Sequence, residues 1–236
     1  MTLSMTPLLG NPALWLTLTI AVYLLAAHIH RRSGHSALSN PLLLSVAMLV
    51  PLLLVTRTPY ATYLESARFI HLLLAPATVA LAVPLFANIA HMRAMLRPLL
   101  VALFVGGTAG VTSALLFGKL FGLPHDVLVS FSPKSVTTPI AMALAEKLGG
   151  NASLAAAAVL VTGILGAVGA EHVFRWLRVR DEAVQGFAMG LASHGIGTTR
   201  ALHISHKAGA FSGLGMSLNG IFTSLCLPAL LAIWPL

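Results

Sequence analysis

Long apolar stretches separated by short polar segments run along almost the whole chain. Their lengths are close to the ~20 residues that a helix needs to cross a bilayer, so each predicts a transmembrane helix. The predicted spans are 12–30, 40–56, 68–91, 97–118, 152–174, 183–204 and 208–234. An eighth stretch, 127–148, carries polar residues and either crosses the membrane or turns back within it. The pattern predicts an all-α polytopic membrane protein with seven or eight membrane segments.

Composition supports a single membrane domain over residues 1–236, because 57% of the residues are hydrophobic and only 8% are charged. Soluble domains carry about a quarter charged residues. The single cysteine, Cys226, excludes an intrachain disulfide and a cysteine metal cluster. The net charge of +8 does not indicate nucleic-acid binding, because the Lys and Arg residues lie in short segments between apolar spans, as topology signals do.

The distribution of positive charge also predicts the topology. Arg31 and Arg32 follow the first span instead of preceding it, so this span predicts a helix with its N-terminus outside the cell, not a signal peptide. Loop Lys and Arg divide six against six if 127–148 crosses the inner membrane, and seven against five if it re-enters. Re-entry, over about 124–150, places the RWLRVR cluster at 175–180 inside the cell, and we prefer it.

Re-entry has a second consequence for the architecture. Segments 40–118 and 152–236 then each hold three spans and have opposite orientations, as two inverted three-helix units. The middle span of each unit is interrupted, at 75–84 and at 192–201. Paired interruptions at corresponding positions indicate a transporter's binding site.

The polar segment SFSPKSVTTPIAM at 130–142 predicts the first half of such a site. Pro133 and Pro139 break helical hydrogen bonding, and broken backbone at membrane depth must be buried in protein or line a wet cavity. A lysine in the membrane needs a partner, and with six acids in the chain an anionic ligand is credible for Lys134. The candidate hydroxyl donors around it are Ser132, Ser135, Thr137 and Thr138. Alternatively, Lys134 extends to the interface and the hydroxyls bond only backbone carbonyls.

A second polar segment, SHGIGTTR at 193–200, has similar chemistry. Arg200 offers a planar fork suited to a carboxylate, and Gly195 and Gly197 permit unusual backbone dihedrals. The remaining candidates are His194, Thr198 and Thr199. Alternatively, the glycines are close-packing contacts and Arg200 is an interfacial anchor. Thr78 and Asn88, near the first interruption, are secondary candidates that a proline kink explains equally well.

Other patterns carry less weight. Small-residue spacings such as Gly186/Gly190 and Gly209/Gly213 favour packing within the chain over a homodimer interface. We predict neither a metal site nor a cofactor. No set of nucleophile, base and acid is visible, so an enzyme is not expected.

Several motifs resemble the LrgB/CidB family of antiholin-like membrane proteins. They are NPLL at 40–43, PATVALAVPL at 76–85, PKSVTTPIAM at 133–142, GILGAVGAEH at 163–172, GFAMGLASHGIGTTRA at 186–201 and GAFS at 209–212. Family members often have an acid immediately before GAFS, where this chain has Ala208. The resemblance puts any role of that acid in doubt here and suggests that Lys207 lacks a partner.

The resemblance implies two functions. Family members are associated with transport of small carboxylates such as pyruvate, and the related plant plastid protein with glycolate and glycerate. The family was named for control of murein hydrolase activity and lysis, together with a small LrgA/CidA-like membrane partner. The residues independently favour a small-anion carrier working by alternating access, so a transporter of 2-oxo or 2-hydroxy monocarboxylates is the first hypothesis and a lysis regulator the second.

Overall fold

In the structure, a computed structural model, every secondary-structure element of the described residues is a helix. The structure describes residues 12–33, 39, 41–73, 76, 86 and 89–233. The chain divides into two units, residues 1–80 and 81–236, and each unit is considered by itself. Thr78, Asn88 and most of the interruption at 75–84 lie outside the described residues.

The first unit contains four described helices. They are α1 (Pro12–Arg32), α2 (Pro41–Val55), α3 (Tyr60–Ser66) and α4 (Arg68–Leu72). Helix α1 packs against α2 and α3. Trp15 of α1 meets Tyr63 of α3 edge to face, with 6.0 Å between ring centroids, and Thr19 donates a 3.3 Å hydrogen bond to the Tyr63 hydroxyl.

The second unit contains seven described helices. They are α5 (Ile89–Ala94), α6 (Leu96–Leu120), α7 (His125–Phe131), α8 (Thr138–Lys147), α9 (Ala152–Trp176), α10 (Glu182–Ile204) and α11 (His206–Ile233). Among all described helices, four are long and apolar enough to cross a bilayer: α1, α6, α9 and α11. The predicted polytopic helical fold is confirmed in this coarser form, whereas seven or eight full spans are not seen.

Helices α7 and α8 form a hairpin, which we call the first hairpin. The backbone N–H of Asn151, just beyond α8, donates a 2.7 Å hydrogen bond to Ser130 Oγ in α7. A continuous helix would separate two residues that are 21 positions apart by about 30 Å, so the chain reverses direction between them. The reversal occurs at residues 132–137, the first tip, where turn hydrogen bonds replace the helical ones.

Helix α10 is also a hairpin, the second hairpin, with legs at 182–193 and 195–204. His194 has φ 43° and ψ −134°, a conformation that residues with a Cβ rarely adopt. Beyond it the chain returns, and Ser205 Oγ donates a 2.8 Å hydrogen bond to Glu182 Oε2. A straight helix would put these residues roughly 35 Å apart. The prediction that 183–204 crosses the membrane with a break is therefore wrong: the break exists, but the segment turns back there.

The hairpins enter from opposite ends of the second unit. Leu115 of α6 and Leu227 of α11 pack together at the first hairpin's end, which we call the Leu120 end. Ala208 of α11 packs with Phe174 of α9 at the other end, which we call the Trp176 end. Residues 96–147 form a long helix followed by a hairpin, residues 152–204 form a second long helix followed by a hairpin, and α11 completes the unit. The predicted three-helix unit at 152–236 is wrong in its middle element, and the one at 40–118 stays a prediction.

Glycines let the second hairpin and α11 pack backbone against backbone. A Cβ on Gly186 would overlap the carbonyl oxygen of Ala208, and a Cβ on Gly190 would overlap that of Ser212. A side chain at either position would force the helices apart. The Gly186/Gly190 spacing thus serves packing within the chain, whereas a Cβ on Gly213 would meet no atom within 4 Å.

Candidate functional site

Residues of the two predicted polar segments, 130–142 and 193–200, line one cavity of about 590 Å³ in the second unit. The first tip contributes Ser132, Pro133, Lys134 and Ser135, and the second hairpin contributes residues 191–193. Helices α6, α9 and α11 complete the wall. Most of the lining is apolar, and the polar side chains on it are Ser132, Lys134, Ser135, Thr162, Ser193, Asn219 and Thr223.

Lys134 is the one charged residue of this lining. Its Nζ lies 3.4 Å from the carbonyl oxygen of Gly110, near the middle of α6. This long bond to a neutral oxygen cannot balance the charge of a partly buried ammonium group, which needs a counter-charge or water. Because an ammonium group has three donors, Lys134 can still bind an anion in the cavity.

The hydroxyls of the first tip divide into two pairs. Ser132 lines the cavity, is buried, and donates a 2.7 Å hydrogen bond to Val129 O, so its oxygen can still accept. Ser135 also lines the cavity. Thr137 caps the start of α8 without a side-chain cap bond, and Thr138 is the first residue of that helix. These two threonines lie outside the cavity lining, so they do not share the surroundings of Lys134.

At the reversal around His194, which we call the second tip, Ser193 lines the cavity and His194 does not. His194 is buried, and its Nε2–H donates a 3.0 Å hydrogen bond to Val159 O of α9. Glycines of α9 make room for this tip: a Cβ on Gly163 would lie 2.8 Å from His194 Cε1, and one on Gly166 would overlap Ser193 Oγ. The GILGAVG motif thus seats the second tip, a role that the sequence analysis did not assign.

The residues after His194 are structural. Thr198 donates a 2.9 Å hydrogen bond to His194 O, and Thr199 donates a 3.0 Å bond to Gly195 O. Among the described glycines only Gly122 and Gly149 have positive φ. The prediction that Gly195 and Gly197 supply unusual dihedrals is therefore wrong, since His194 itself adopts the unusual conformation. The two glycines and the two threonines, Thr198 and Thr199, also lie outside the cavity lining.

Arg200 does not share a ligand site with Lys134. Its guanidinium pairs with the Glu171 carboxylate of α9, with 14% of the arginine side chain exposed. The return leg carries Arg200 toward the Trp176 end, where α9 places Glu171. The expectation that both cations face one carboxylate ligand is wrong for this reason, and the partner of Arg200 is a residue of the chain itself.

This ion pair predicts a stability effect. We expect Glu171→Gln to lower the free energy of unfolding by about 1–2 kcal/mol, because it leaves a largely buried guanidinium without its counter-charge. Exposure of 42% of the Glu171 side chain keeps the loss below that of a fully buried pair. Thermal unfolding in detergent measures the change. Glu146→Gln, at an exposed acid of α8, is the control, and an equal loss there would contradict the prediction.

Lys207 and Ala208 occupy the start of α11. Lys207 Nζ lies 3.9 Å from Asp181 Oδ1, so the expectation that Lys207 is unpaired is wrong. The N–H groups of Val184 and Ala183 bond the same Asp181 carboxylate and lower its pKa. Ala208 is fully buried, and its backbone carbonyl packs against Gly186.

Asn219, in the middle of α11, was not predicted as a site residue. It is 1% exposed, and its Nδ2 donates hydrogen bonds to Ser135 O at 3.2 Å and to Leu191 O at 2.9 Å. Thr223 donates a 3.3 Å bond to its Oδ1. A polar amide in an apolar predicted span was the available signal, because membrane helices rarely bury such groups without a partner.

Comparison with known proteins identifies the family of this chain. The model of the LrgB-like family matches residues 19–233. The chain belongs to the LrgB-like family. This confirms the resemblance to that family.

Curated relatives of this LrgB-like protein cover nearly its whole length. YxaC and YwbG of Bacillus subtilis, both described as uncharacterized proteins, are each 35% identical over 92% of the chain and over 93% and 96% of their own lengths. The holin-like protein CidB of Staphylococcus epidermidis is 27% identical over 94% of the chain and 96% of its own length. No solved structure matches the chain.

Proposed function

We propose that this LrgB-like protein is an inner-membrane transporter or facilitator for small 2-oxo or 2-hydroxy monocarboxylates, the class of pyruvate, glycolate and glycerate. One observation carries the proposal: Lys134 lines a cavity between two broken-helix tips, and the described lining contains no acid. A carboxylate that enters the cavity supplies the counter-charge that the lysine lacks.

The rest of the cavity suits a small acid with a polar group beside the carboxylate. Ser132, Ser135 and Ser193 offer hydroxyls from the two tips, and Thr162 offers one from α9. A carbonyl or hydroxyl at the second carbon of the substrate can bond to such groups while the carboxylate meets Lys134. The apolar remainder of the wall leaves no second charged group for a dicarboxylate.

The opposed hairpins support alternating access to this cavity. Movement of the first hairpin would open it toward the Leu120 end, and movement of the second would open it toward the Trp176 end. Irregular backbone at membrane depth is tolerated where it lines such a cavity, and discontinuous helices at opposed entries are typical of secondary transporters.

The expected orientation follows from the hairpins. The second hairpin begins and ends at the Trp176 end. That end therefore carries six Lys and Arg residues in or beside its loops, and the Leu120 end carries two. The six are Arg93, Arg97, Arg175, Arg178, Arg180 and Lys207, and the two are Lys119 and Lys147. The positive-inside rule then places the Trp176 end in the cytoplasm.

A labelling experiment tests this orientation. With Cys226 replaced by serine, Arg178→Cys is expected to react with a membrane-impermeant thiol reagent only from the cytoplasmic side, and Lys147→Cys only from outside. Inverted vesicles and intact cells provide the two sides. The opposite pattern, with Arg178→Cys reacting from outside and Lys147→Cys from the cytoplasm, would contradict this orientation, and labelling of both cysteines from one side would contradict a membrane-crossing α9.

Uptake into proteoliposomes tests the transport proposal. Purified protein is expected to give saturable entry of labelled pyruvate or glycolate that protein-free liposomes lack, with unlabelled substrate competing and a dicarboxylate competing poorly. Flux equal to that of empty liposomes for all these acids would refute transport of this class.

A second candidate function is regulation of lysis, which the name of the holin-like CidB relatives favours. The protein would then assemble with a small LrgA/CidA-like membrane partner and tune murein hydrolase activity without carrying a solute. Co-purification with such a partner, measured alongside flux, separates the candidates. A stable complex together with absent flux would favour regulation.

A further inference from the structure

Among the described residues, Asn219 is the side chain that hydrogen-bonds to both hairpins at the cavity. Its amide nitrogen donates to Ser135 O in the first tip, at 3.2 Å, and to Leu191 O in the second hairpin, at 2.9 Å. Ser135 and Leu191 belong to hairpins that enter from opposite ends of the unit. One nitrogen in the middle of α11 therefore ties together two elements that no loop connects directly.

The chemistry of a side-chain amide suits this position. An amide has two N–H donors on one nitrogen and an acceptor oxygen beside it. Here both donors meet carbonyl groups, and the acceptor receives the Thr223 hydroxyl at 3.3 Å. A hydroxyl has one donor, and a carboxylate has none. Neither can bond to both carbonyls at once.

Packing holds the amide in place. A Cβ on Gly107 of α6 would lie 3.3 Å from Asn219 Oδ1 and 2.7 Å from the Phe222 ring. The close approach of α6 to α11 at this point therefore requires a glycine at position 107. A Cβ on Gly220 would lie 3.0 Å from Ile140 of the first hairpin. Because α11 is buried against both neighbours, its amide has little freedom to turn away from the tips.

We propose that Asn219 is a positioning residue that holds both hairpin tips together and whose two hydrogen bonds are broken one at a time during transport. The inference rests on the proposed function, in which the cavity opens to each side in turn. Moving the first hairpin breaks the bond to Ser135 and keeps the bond to Leu191, whereas moving the second does the reverse. Asn219 thus favours the state with both tips in place and leaves one tip anchored while the other moves.

Amide hydrogen exchange of the purified protein tests the clamp without substrate. In Asn219→Leu and Asn219→Asp, which keep the number and branching of the side-chain heavy atoms of asparagine, exchange is expected to rise about five- to tenfold at residues 134–136 of the first tip and at residues 192–195 around His194. Exchange in the middle of α9 should not change. Ser217→Ala, which removes a hydroxyl bonded at 2.9 Å to Gly213 O within the same helix, is the matched control.

The outcomes are distinct. Unchanged exchange in a folded variant, a rise at one tip alone, or an equal rise in Ser217→Ala would overturn the clamp. If one Asn219 variant does not fold, the other decides the question. Faster exchange at both tips in a protein that carries no carboxylate would keep the clamp and refute the proposed function. Saturable uptake with unchanged tip exchange would do the opposite.

Discussion

Replacing Lys134 with alanine is expected to reduce carboxylate uptake by about 10- to 100-fold at low substrate concentration. A charge-assisted hydrogen bond to a ligand contributes about 1.5–3 kcal/mol, which corresponds to a factor of that size in affinity. The alanine variant leaves the carboxylate in an apolar cavity without a counter-charge. Initial rates of labelled pyruvate or glycolate entry, measured across a range of concentrations, give the change.

The controls separate site charge from general damage. Lys134→Arg keeps the charge with a different shape and should retain part of the uptake. Lys147→Ala removes an exposed lysine at the end of the same hairpin, outside the cavity, and should behave as the parent protein does. Equal uptake by Lys134→Ala and the parent would remove Lys134 from the site, even if transport itself were established.

The second large effect concerns folding. Gly190→Ala is expected to lower the free energy of unfolding by about 3 kcal/mol or more, because the new methyl group would overlap the backbone carbonyl of Ser212. Backbone atoms cannot move aside as a flexible side chain can, so the second hairpin and α11 must separate. Thermal unfolding in detergent, followed by size-exclusion chromatography, measures the loss.

Gly213→Ala is the matched control, because it makes the same chemical change in α11. A Cβ there would meet no atom within 4 Å, and alanine favours helix over glycine by up to about 1 kcal/mol. Stability should therefore stay the same or rise. If Gly190→Ala were as stable as Gly213→Ala, the close backbone packing described above would not exist.

The first hairpin was largely predictable from sequence. Two prolines around a lysine and several hydroxyls cannot continue a lipid-exposed helix, and this local chemistry marked the first tip and most of its cavity residues. Which hydroxyls face the cavity was not predictable, since Thr137 and Thr138 belong to the start of α8, and the direction of a side chain depends on where the helix begins.

The second hairpin was only half predictable. The interruption near 192–201 was visible, but 23 helical residues are also the length of a membrane span, so length alone favoured crossing. The reversal occurs on a histidine, and Gly163 and Gly166 of another helix permit it. Missing the reversal also misplaced Arg200, because its partner Glu171 lies 29 positions away and only the returning leg brings them together.

The role of Asn219 could not be predicted from local sequence motifs. No proline or charged residue lies close to it in the sequence, and its role depends on two carbonyl groups that lie 84 and 28 positions earlier in the chain. Such a contact is set by the packing of whole hairpins. The sequence can indicate that a buried amide needs partners, but it does not identify them.

The 84 positions between Ser135 and Asn219 in the sequence also have a consequence for folding during synthesis. A ribosome adds about 5–20 residues per second, so the first tip emerges roughly 4 to 17 seconds before the asparagine that bonds to it, 84 positions later. During that interval the tip of the nascent hairpin has no Asn219 to bond to. The hydrogen bond that joins the first tip to α11 therefore forms only after α11 has been synthesised.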